Sequence, residues 1–581
     1  MATLEEVYTA LFSPRSGSDI FASAPLLPTD LFAFGAHLLE RSGAYHHVAP
    51  DVNRARSSGF RELLVDDELR ARAVRTGRIW RASKPRAGRR LPPPPSRVEV
   101  LWEELEQFRD EHVFEPLVET ADAPEWWMIC LELVMIADEA CQDIGFDPGN
   151  KFARPIRSAY VAADLGSGKE FRRIQRAPFS LSTAAEDLVC VQAKSRTPSV
   201  GCTLRSLTHN LALLPPRGQV RARWVHPPFT RTPALDDDKL GLLLIPFPYR
   251  VDENAFVSVG EHPGGGWGWF TARPTWLPLN TDRQKRSSFV TFVQDLVDRA
   301  REKGQRVNGV VFPELSLNYT QFLGLARALA RDNGIDFLIA GVTHDQDHRH
   351  GNFVAIAPFF LLGRERTGTI SGWEQTVLVR EKHHRWKLNR SQIETYSLGL
   401  DPARSWWEDL NILSRSLDVL VYRGSSTLTT LICEDLARVD PCQAVVRAIG
   451  PNLLIALLMD GPQIGSRWPA RYATVLADDP GTSVLSLTSF GLMARQNDLG
   501  QWPQSCAIGL WKDEAAGIKV LELPREADAI SLQIRSVAKS ENTLDGRSDG
   551  GSSHRWEYES HTGVTLEPAA RPDWVRTGIG R

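Results

Sequence analysis

Short apolar runs alternate with amphipathic segments through the second half of the chain. The run LGLLLIPFPYRV at 240–251 is almost continuously apolar and long enough for a buried strand. Further apolar runs predict strands in NGVVFPE, IDFLIAGVTH, NFVAIAPFFLL, QTVLVREKHH, STLTTLICED, NLLIALLMD and TSVLSLTSFG. Between them, apolar residues three or four apart predict helices in RSSFVTFVQDLVDRAREKG, NYTQFLGLARALARDNG, VDPCQAVVRAIG and PARYATVLADD. This alternation predicts an α/β fold with helices layered over a largely buried sheet.

The first 235 residues have a different pattern. Apolar residues follow a helical period from 98 to 145, while EDLVCVQAK and QVRARWV predict strands, with a helix in SLTHNLALL between them. Residues 70–97 hold ten Arg and Lys residues without an acid and end in LPPPPSR, whose prolines favour an extended spacer. We therefore predict a mixed, mainly helical N-terminal domain, in which we find no catalytic signature.

These changes of pattern divide the chain into four predicted units. Residues 1–97 form an irregular basic arm with a proline-rich boundary, and 98–235 form a mainly helical accessory domain. Residues 236–540 carry the alternating α/β pattern, and 541–581 lack periodicity and are predicted to be a tail.

Composition and charge limit the function classes. The 581 residues carry 68 Lys and Arg against 71 Asp and Glu, so their net charge of −3 does not attract the whole protein to nucleic acid or membrane. The seven cysteines include no C-x-x-C pair, which favours reduced thiols. The start MATLEEVYTALF has acids where a signal peptide has bases, and no apolar run approaches ~18 residues. We therefore expect a cytoplasmic protein.

Three of the predicted strands end in chemically reactive side chains. Glu314 closes NGVVFPE, Lys382 closes QTVLVREK, and Cys433 closes STLTTLIC. Because ligand sites of α/β sheets form at the carboxyl ends of strands, we expect the three to meet. A carboxylate can take the proton of a thiol, a thiolate can attack an electrophilic carbon, and an ammonium can stabilise developing negative charge. Together they would supply a covalent hydrolase.

The segments VVFPE, REKHH and LICEDLARVDP, in this order, resemble the Glu, Lys and Cys motifs of the carbon–nitrogen hydrolase, or nitrilase, superfamily. The resemblance covers roughly residues 240–537 and implies that superfamily's αββα sandwich. It implies that Cys433 is the nucleophile, Glu314 the general base and Lys382 the oxyanion partner. The backbone N–H of Glu434 would complete the oxyanion hole.

Other positions near these motifs are candidates for supporting roles. The resemblance implies a second glutamate after the lysine, for which Glu394 is the nearest candidate, and His383 is expected to shape the pocket. Asp460 in LLMDGPQ stands where a small polar residue is more usual, so it either selects a cationic or hydroxylated substrate or caps the turn beside Gly461. The stretch HDQDHRH at 344–350 holds residue types that bind metals, but its place between two strands favours a solvated hairpin loop. We expect neither a metal nor a cofactor.

The resemblance implies a thiol amidohydrolase that acts on a non-peptide C–N bond of an amide, carbamoyl or nitrile substrate. An alternative is a regulatory or interaction protein that uses a nitrilase-like domain, in an antiphage system associated with a reverse transcriptase. The N-terminal domain is expected to regulate or assemble, and its basic arm to reach a protein or nucleic-acid partner. We expect a homodimer or higher oligomer, with Trp556, Tyr558 and Trp574 of the tail anchored on a neighbouring subunit.

Overall fold

The computed structural model describes residues 2–12, 21, 23–50, 62–85, 87, 90–114, 123–147, 149–166, 179–198, 201–216, 220–225, 238–277, 282–359, 373–413 and 415–574. The described part before residue 226 consists mainly of helices with a few short strands. Its helices are α1 (Leu4–Phe12), α2 (Pro28–Ser42), α3 (Asp67–Ala82), α4 (Ser96–Glu106), α5 (Glu125–Ala140) and α6 (Ala153–Gly166). Its strands are β1 (Val48–Ala49), β2 (Leu63–Leu64), β3 (Cys190–Ala193), β4 (Leu211–Leu214) and β5 (Arg221–Val225).

Strands and helices alternate through the described part after residue 237, as the sequence pattern predicts. The strands are β6 (Lys239–Leu244), β7 (Phe256–Glu261), β8 (Trp267–Ala272), β9 (Gly309–Val311), β10 (Phe337–His344), β11 (His350–Pro358), β12 (Leu378–Glu381), β13 (Lys387–Leu388), β14 (Ser405–Glu408), β15 (Ser416–Tyr422), β16 (Ser426–Ile432), β17 (Leu453–Leu458), β18 (Ser483–Thr488), β19 (Ala507–Asp513), β20 (Gly517–Glu522), β21 (Ala529–Lys539) and β22 (Ser553–Val564). The helices are α7 (Arg283–Glu302), α8 (Tyr319–Leu329), α9 (Arg390–Thr395), α10 (Glu434–Ala437), α11 (Ala444–Ile449), α12 (Trp468–Asp478) and α13 (Phe490–Asp498).

Two seven-stranded sheets form the centre of this second half. The first sheet has the strand order β12-β11-β10-β9-β6-β21-β22, and the second sheet has the order β20-β19-β18-β17-β16-β15-β5. Their facing surfaces share one apolar core, in which Leu242 and Ile339 of the first sheet join Ile455 and Leu487 of the second. Because these side chains are fully buried, the hydrophobic effect holds the two sheets face to face.

Helices cover the outer face of each sheet. On the first sheet, α7 and α8 pack through Phe292 and Leu325. On the second sheet, α11 and α12 pack through Val446 and Ala473. The layer order is therefore helix, sheet, sheet, helix, and the predicted αββα sandwich is confirmed. Among the described helices, none is both long and apolar enough to cross a membrane.

A third, smaller sheet has the strand order β13-β14-β8-β7, and we call it the cap sheet. Its inner side chains, including Phe256, Phe270 and Trp406, share an apolar core with Leu315 and Met459. Since Leu315 follows β9 closely and Met459 directly follows β17, the cap sheet lies beside the carboxyl ends of these strands. This is the edge at which the sequence predicts reactive side chains.

The prediction of an irregular basic arm over residues 1–97 is wrong for the described part of that range. It contains α1, α2 and α3, and the first part of the basic run, residues 70–81, lies on the amphipathic helix α3, whose Trp80 is fully buried. Arg72 and Arg97 both bind the buried carboxylate of Glu132 on α5, at 3.0 and 2.7 Å. These arginines therefore serve the internal packing of the N-terminal region, because a buried carboxylate needs compensating positive charge.

The predicted tail from residue 541 is also wrong over much of its length. It contains the twelve-residue strand β22, which pairs antiparallel with β21 at the edge of the first sheet. Trp556 is buried between the two sheets and donates a hydrogen bond to Ser426 Oγ at 2.8 Å, and Trp574 packs on Phe247 and Phe289. These tryptophans anchor the segment on its own chain, because their apolar rings fill gaps in its core.

The described N-terminal region and the sandwich share a sheet. Strand β5 lies before the predicted boundary at residue 235, yet it pairs in parallel with β15 as an edge strand of the second sheet. The helix predicted in SLTHNLALL is wrong, because the apolar stretch LALL forms β4 and pairs antiparallel with β3. A run of four apolar residues is too short to establish a helical period, so strand pairing decides its conformation.

The buried side chain of Arg547 links the segment before β22 to helix α5. Its guanidinium binds Asp545 at 2.9 Å, Asp138 at 3.1 Å and Glu139 at 3.2 Å. It also donates to the backbone oxygen of Leu207 at 2.7 Å. The positive charge therefore holds carboxylates of two regions of the chain together in the interior.

Arg547→Leu should lower the free energy of unfolding by about 3–5 kcal/mol, because it removes the positive charge that compensates buried carboxylates. Denaturant unfolding followed by tryptophan fluorescence measures the change. Arg525→Leu, at an exposed position, is the matched control. Equal unfolding midpoints for the two variants would contradict the assigned role.

Candidate active site

Glu314 lies just after β9, in a tight segment against β10. A Cβ atom on Gly341 would lie 2.5 Å from the Glu314 Cα atom, so the close approach of the two strands requires glycine at that position. The Glu314 carboxylate is buried and accepts a hydrogen bond from the Met459 backbone N–H at 2.7 Å. This bond ties the end of the first sheet to the end of β17 in the second sheet.

Lys382 directly follows β12, and its side chain is fully buried. Its backbone N–H donates to Asn352 O at 2.9 Å, which extends the pairing with β11. Its ammonium Nζ donates to Glu314 Oε1 at 2.9 Å and to Glu408 Oε2 at 2.8 Å. The predicted base and the predicted oxyanion partner are thus in direct contact.

Glu408, at the end of β14 in the cap sheet, is a site residue that the sequence reasoning missed. The side chain of Asn352 donates to Glu314 at 2.7 Å and to Glu408 at 2.9 Å, so it bridges the two carboxylates. The Trp386 backbone N–H donates to Glu408 Oε2 at 2.9 Å. Glu408 is therefore a second carboxylate that binds the Lys382 ammonium, in addition to Glu314. The position of Glu408 at a strand end was the available signal.

Cys433 lies between β16 and helix α10, with φ 43° and ψ −107°. A non-glycine residue with positive φ is strained, and such strain persists where the surrounding structure holds it. Here the Cys433 backbone N–H donates to Leu457 O of β17 at 2.9 Å. Glu434 is the first residue of α10, so its N–H has no acceptor within that helix. The Cys433 thiol and the Glu434 backbone N–H therefore lie together in this turn, at the carboxyl end of β16.

Electrostatic interactions connect Glu314, Lys382 and Cys433. Burial and the negative charge of Glu314 raise the pKa of the Cys433 thiol well above its ordinary value, against the opposing charge of Lys382. Burial also raises the pKa of Glu314, and Lys382 opposes this shift. Burial works to lower the pKa of Lys382, but Glu314 and Glu408 hold it well above its ordinary value. The resting site therefore contains a neutral thiol beside a charged ammonium.

The structure does not bring Glu394 to this group. Its side chain is half-exposed on α9 and pairs with Arg390 at 2.8 Å. The prediction of Glu394 as a glutamate beside Lys382 is therefore wrong, and Glu408 binds the ammonium instead. The glutamate nearest in sequence is turned away by the short helix, whereas the strand pairing of β14 carries Glu408 to the ammonium.

His383 is buried, and its backbone N–H donates to the Asp435 carboxylate at 3.0 Å. Its Nδ1 lies 2.7 Å from the Cys442 sulfur, and its Nε2 lies 2.8 Å from Ser416 O. Burial lowers the pKa of His383 to about 4, so the ring is neutral at pH 7. Its imidazole thus positions the segment after Lys382 through internal contacts.

Asp460 lies near Cys433, but its carboxylate is fully occupied by neighbours. Tyr396 donates to Asp460 at 2.7 Å, Arg467 at 2.9 Å and the Trp468 indole at 3.1 Å. Because the Asp460 carboxylate already forms an ion pair with Arg467, its charge is compensated within the protein. This geometry therefore gives no support to the expectation that Asp460 selects a cationic substrate.

The stretch 344–350 forms the hairpin between β10 and β11, as predicted, with His344 paired opposite His350. No group of three or more His, Cys, Asp or Glu residues is arranged to hold a metal within the part of the chain that the structure describes.

Comparison with known proteins gave structural matches alone. No protein-family model matches the sequence, and a search of curated proteins found no match. An amidase from Nesterenkonia sp. is similar at 15% identity and a TM-score of 0.28, over 51% of this chain and 94% of the amidase. A CN-hydrolase superfamily protein from Xanthomonas campestris, with an arsenic adduct in its active site, is similar at 12% identity and a TM-score of 0.26, over 57% of this chain and 92% of its own.

The glutamine-dependent NAD+ synthetase from Acinetobacter baumannii, solved with ADP, is similar at 14% identity and a TM-score of 0.30, over 57% of this chain. The match spans 49% of the synthetase, about half of its length. These similarities each extend over about half of this chain's own length. At these TM-scores the matches add nothing to the fold that the sheets and helix layers establish.

Proposed function

We propose that the chain is a thiol amidohydrolase that cleaves a non-peptide C–N bond through a covalent intermediate on Cys433. One observation carries the proposal. The buried Lys382 ammonium is hydrogen-bonded to Glu314 and Glu408, and its charge acts on the pKa of the Cys433 thiol, which lies in a strained turn. Buried ionisable groups with strongly shifted pKa values, gathered at strand ends, are typical of catalytic sites.

In the first half-reaction, the Cys433 sulfur attacks the substrate carbonyl carbon while its proton passes to Glu314. The raised pKa of Glu314 makes its carboxylate a better proton acceptor than a surface carboxylate would be. The carbonyl π electrons move to the oxygen, which becomes an oxyanion. The C–N bond then breaks, and the nitrogen leaves with the proton that Glu314 returns. An acyl thioester remains on Cys433.

Lys382 and the Glu434 N–H stabilise the oxyanion in this scheme. The ammonium stays charged because two carboxylates raise its pKa, so it acts as a donor and not as a base. Two of its three N–H groups bind Glu314 and Glu408, and we assign the third to the substrate oxygen.

In the second half-reaction, water attacks the thioester carbon and gives a proton to Glu314. The C–S bond breaks, the acid leaves, and Glu314 returns the proton to the sulfur. A nitrile would instead add the Cys433 S–H across its C≡N bond to give a thioimidate, and one water would then release ammonia from it to leave the same acyl thioester. The N-terminal region contributes none of these groups, and we assign it a regulatory or assembly role.

Cys433→Ala should retain the fold and abolish turnover, because the nucleophile is missing. Hydrolysis of a panel of small amides, carbamoyl compounds and nitriles gives the measurement, and mass spectrometry of the wild-type protein after a substrate pulse should locate the acyl group on Cys433. Cys506→Ala, at a half-buried cysteine outside the site, should keep wild-type turnover. Undiminished turnover by Cys433→Ala would refute the proposal.

Lys382→Ala should lower kcat by about 10²-fold or more, the effect of losing an oxyanion donor. Lys382→Arg should not restore activity, since a planar guanidinium does not fit the place of a compact ammonium between two carboxylates. Circular dichroism checks that both variants are folded. A folded Lys382→Ala protein with near-normal kcat would remove Lys382 from the mechanism.

Alkylation of Cys433 by iodoacetamide should be slow at neutral pH and rise about tenfold per pH unit between about pH 7 and pH 9. The reason is that the thiolate reacts, and the raised pKa of Cys433 keeps it scarce across this range. Cys442, which is fully buried, should stay unlabelled in the folded protein. Peptide mapping separates the two, and earlier labelling of Cys442 would count against Cys433 as the reactive thiol.

A further inference from the structure

A cavity of about 920 Å³ opens on the outer face of the cap sheet, beside the Glu314, Lys382 and Cys433 group. None of these three side chains lines it. Its lining consists of Gly266, Trp267, Trp269, His383, His384, Arg385, Lys387, Ser405, Trp407, Ile412 and Arg438. Among the described lining residues, three are tryptophans, three are Arg or Lys, and none is a carboxylate.

The strand period of two places the tryptophans on this face. In β8, residues Trp267 and Trp269 are partly exposed, while Gly268 and Phe270 between and after them are buried. Trp407 of β14 pairs with Trp269 on one side and with Lys387 of β13 on the other. A row of lysine and two tryptophans thus crosses three strands. The inner face of the same sheet is already packed, so the apolar core does not account for the outer rings.

The positive charges lie directly beside the rings. The Arg385 guanidinium carbon is 5.5 Å from the centre of the Trp269 ring, and Lys387 Nζ is 5.1 Å from that of Trp407. Arg385 donates through Nη2 to the backbone oxygen of Leu410 at 2.5 Å, but neither Arg385 nor Lys387 forms an ion pair with a carboxylate among the described residues. Arg438 differs, because it already pairs with Glu434 at 2.7 Å. Arg385 and Lys387 are therefore the cations best placed for a ligand.

Rings and cations together select the ligand class. A neutral sugar would stack on tryptophan without needing cations, and inorganic phosphate would bind cations without needing tryptophans. A planar base that carries a phosphate uses both, since bases stack on aromatic rings and phosphate binds Arg and Lys. The cavity is within the size range of sites for ligands of this kind.

We propose that this cavity binds a nucleotide, with the base stacked against Trp269 and Trp407 and the phosphate near Arg385 and Lys387. His384 connects the cavity to the neighbouring site, because it lines the cavity and its Nδ1 lies 3.1 Å from Asp435, two residues after Cys433. The binding site does not depend on the hydrolysis proposed above, so Cys433→Ala should bind the nucleotide as the wild-type protein does.

Isothermal titration calorimetry of the full chain with adenosine 5′-monophosphate tests the proposal. Adenosine, ribose 5-phosphate and a neutral oligosaccharide should each bind at least about tenfold more weakly, because each lacks one half of the recognition. Trp269→Ala and Lys387→Gln should each weaken the nucleotide by about tenfold or more. Trp502→Ala, at a 55% exposed ring, and Lys303→Gln, at an exposed lysine, are the matched controls and should have no effect.

A short single-stranded oligoribonucleotide distinguishes the two sources of the same chemistry. Tighter binding of the strand than of the mononucleotide, with the same loss in Lys387→Gln, would assign the site to a nucleic-acid strand, and the reverse order to a free nucleotide. Three results would overturn the proposal: no binding of either the mononucleotide or the oligoribonucleotide, tighter binding of the neutral oligosaccharide than of the mononucleotide, or unchanged nucleotide affinity in Lys387→Gln. Thermal unfolding shows whether Trp269→Ala is folded, and the surface variant Lys387→Gln decides if it is not.

Discussion

The fully buried ammonium of Lys382 is the interaction on which the rest of the site depends. A charge removed from water is strongly unfavourable unless opposite charge and hydrogen bonds surround it. Here the Lys382 ammonium donates hydrogen bonds to Glu314 and to Glu408, and Asn352 donates to both carboxylates. Glu314 follows a strand of the first sheet, and Glu408 ends a strand of the cap sheet. The buried charge of Lys382 is therefore compensated only when the first sheet and the cap sheet meet in this arrangement. The packing of apolar faces brings the sheets together, and the charge cluster makes their register specific.

The second sheet completes this arrangement. Cys433 at the end of β16 is held by a backbone bond to β17, and the Met459 N–H just beyond β17 binds the Glu314 carboxylate. The strained backbone at Cys433 is sustained because the two sheets share a dense apolar core that fixes the ends of their strands. The same core thus provides stability and positions a thiol against a carboxylate. The outer face of the cap sheet adds a separate aromatic and basic surface beside the Glu314, Lys382 and Cys433 group.

The described N-terminal region is structurally continuous with the sandwich. It contributes β5 to the second sheet, and its helix α5 is joined to the segment before β22 through Arg547. Basic residues that look in sequence like an exposed arm are instead partners of Glu132 in the interior. A shared sheet and buried ion pairs therefore hold this region against the sandwich.

Neighbouring residues are enough to predict the features that depend on local pattern. Apolar periods identified the alternating strands and helices of the sandwich, and strand ends identified Glu314, Lys382 and Cys433, because periodicity and motif are written in neighbouring residues. Which second carboxylate binds the Lys382 ammonium depends instead on how distant strands pair. Glu394 is closer in sequence, but the pairing of β14 with β8 places Glu408 there. The strand in the predicted tail and the helices in the predicted arm likewise depend on partners outside their own segments, such as Ser426 for Trp556, 130 positions away, and Glu132 for Arg72, 60 positions away.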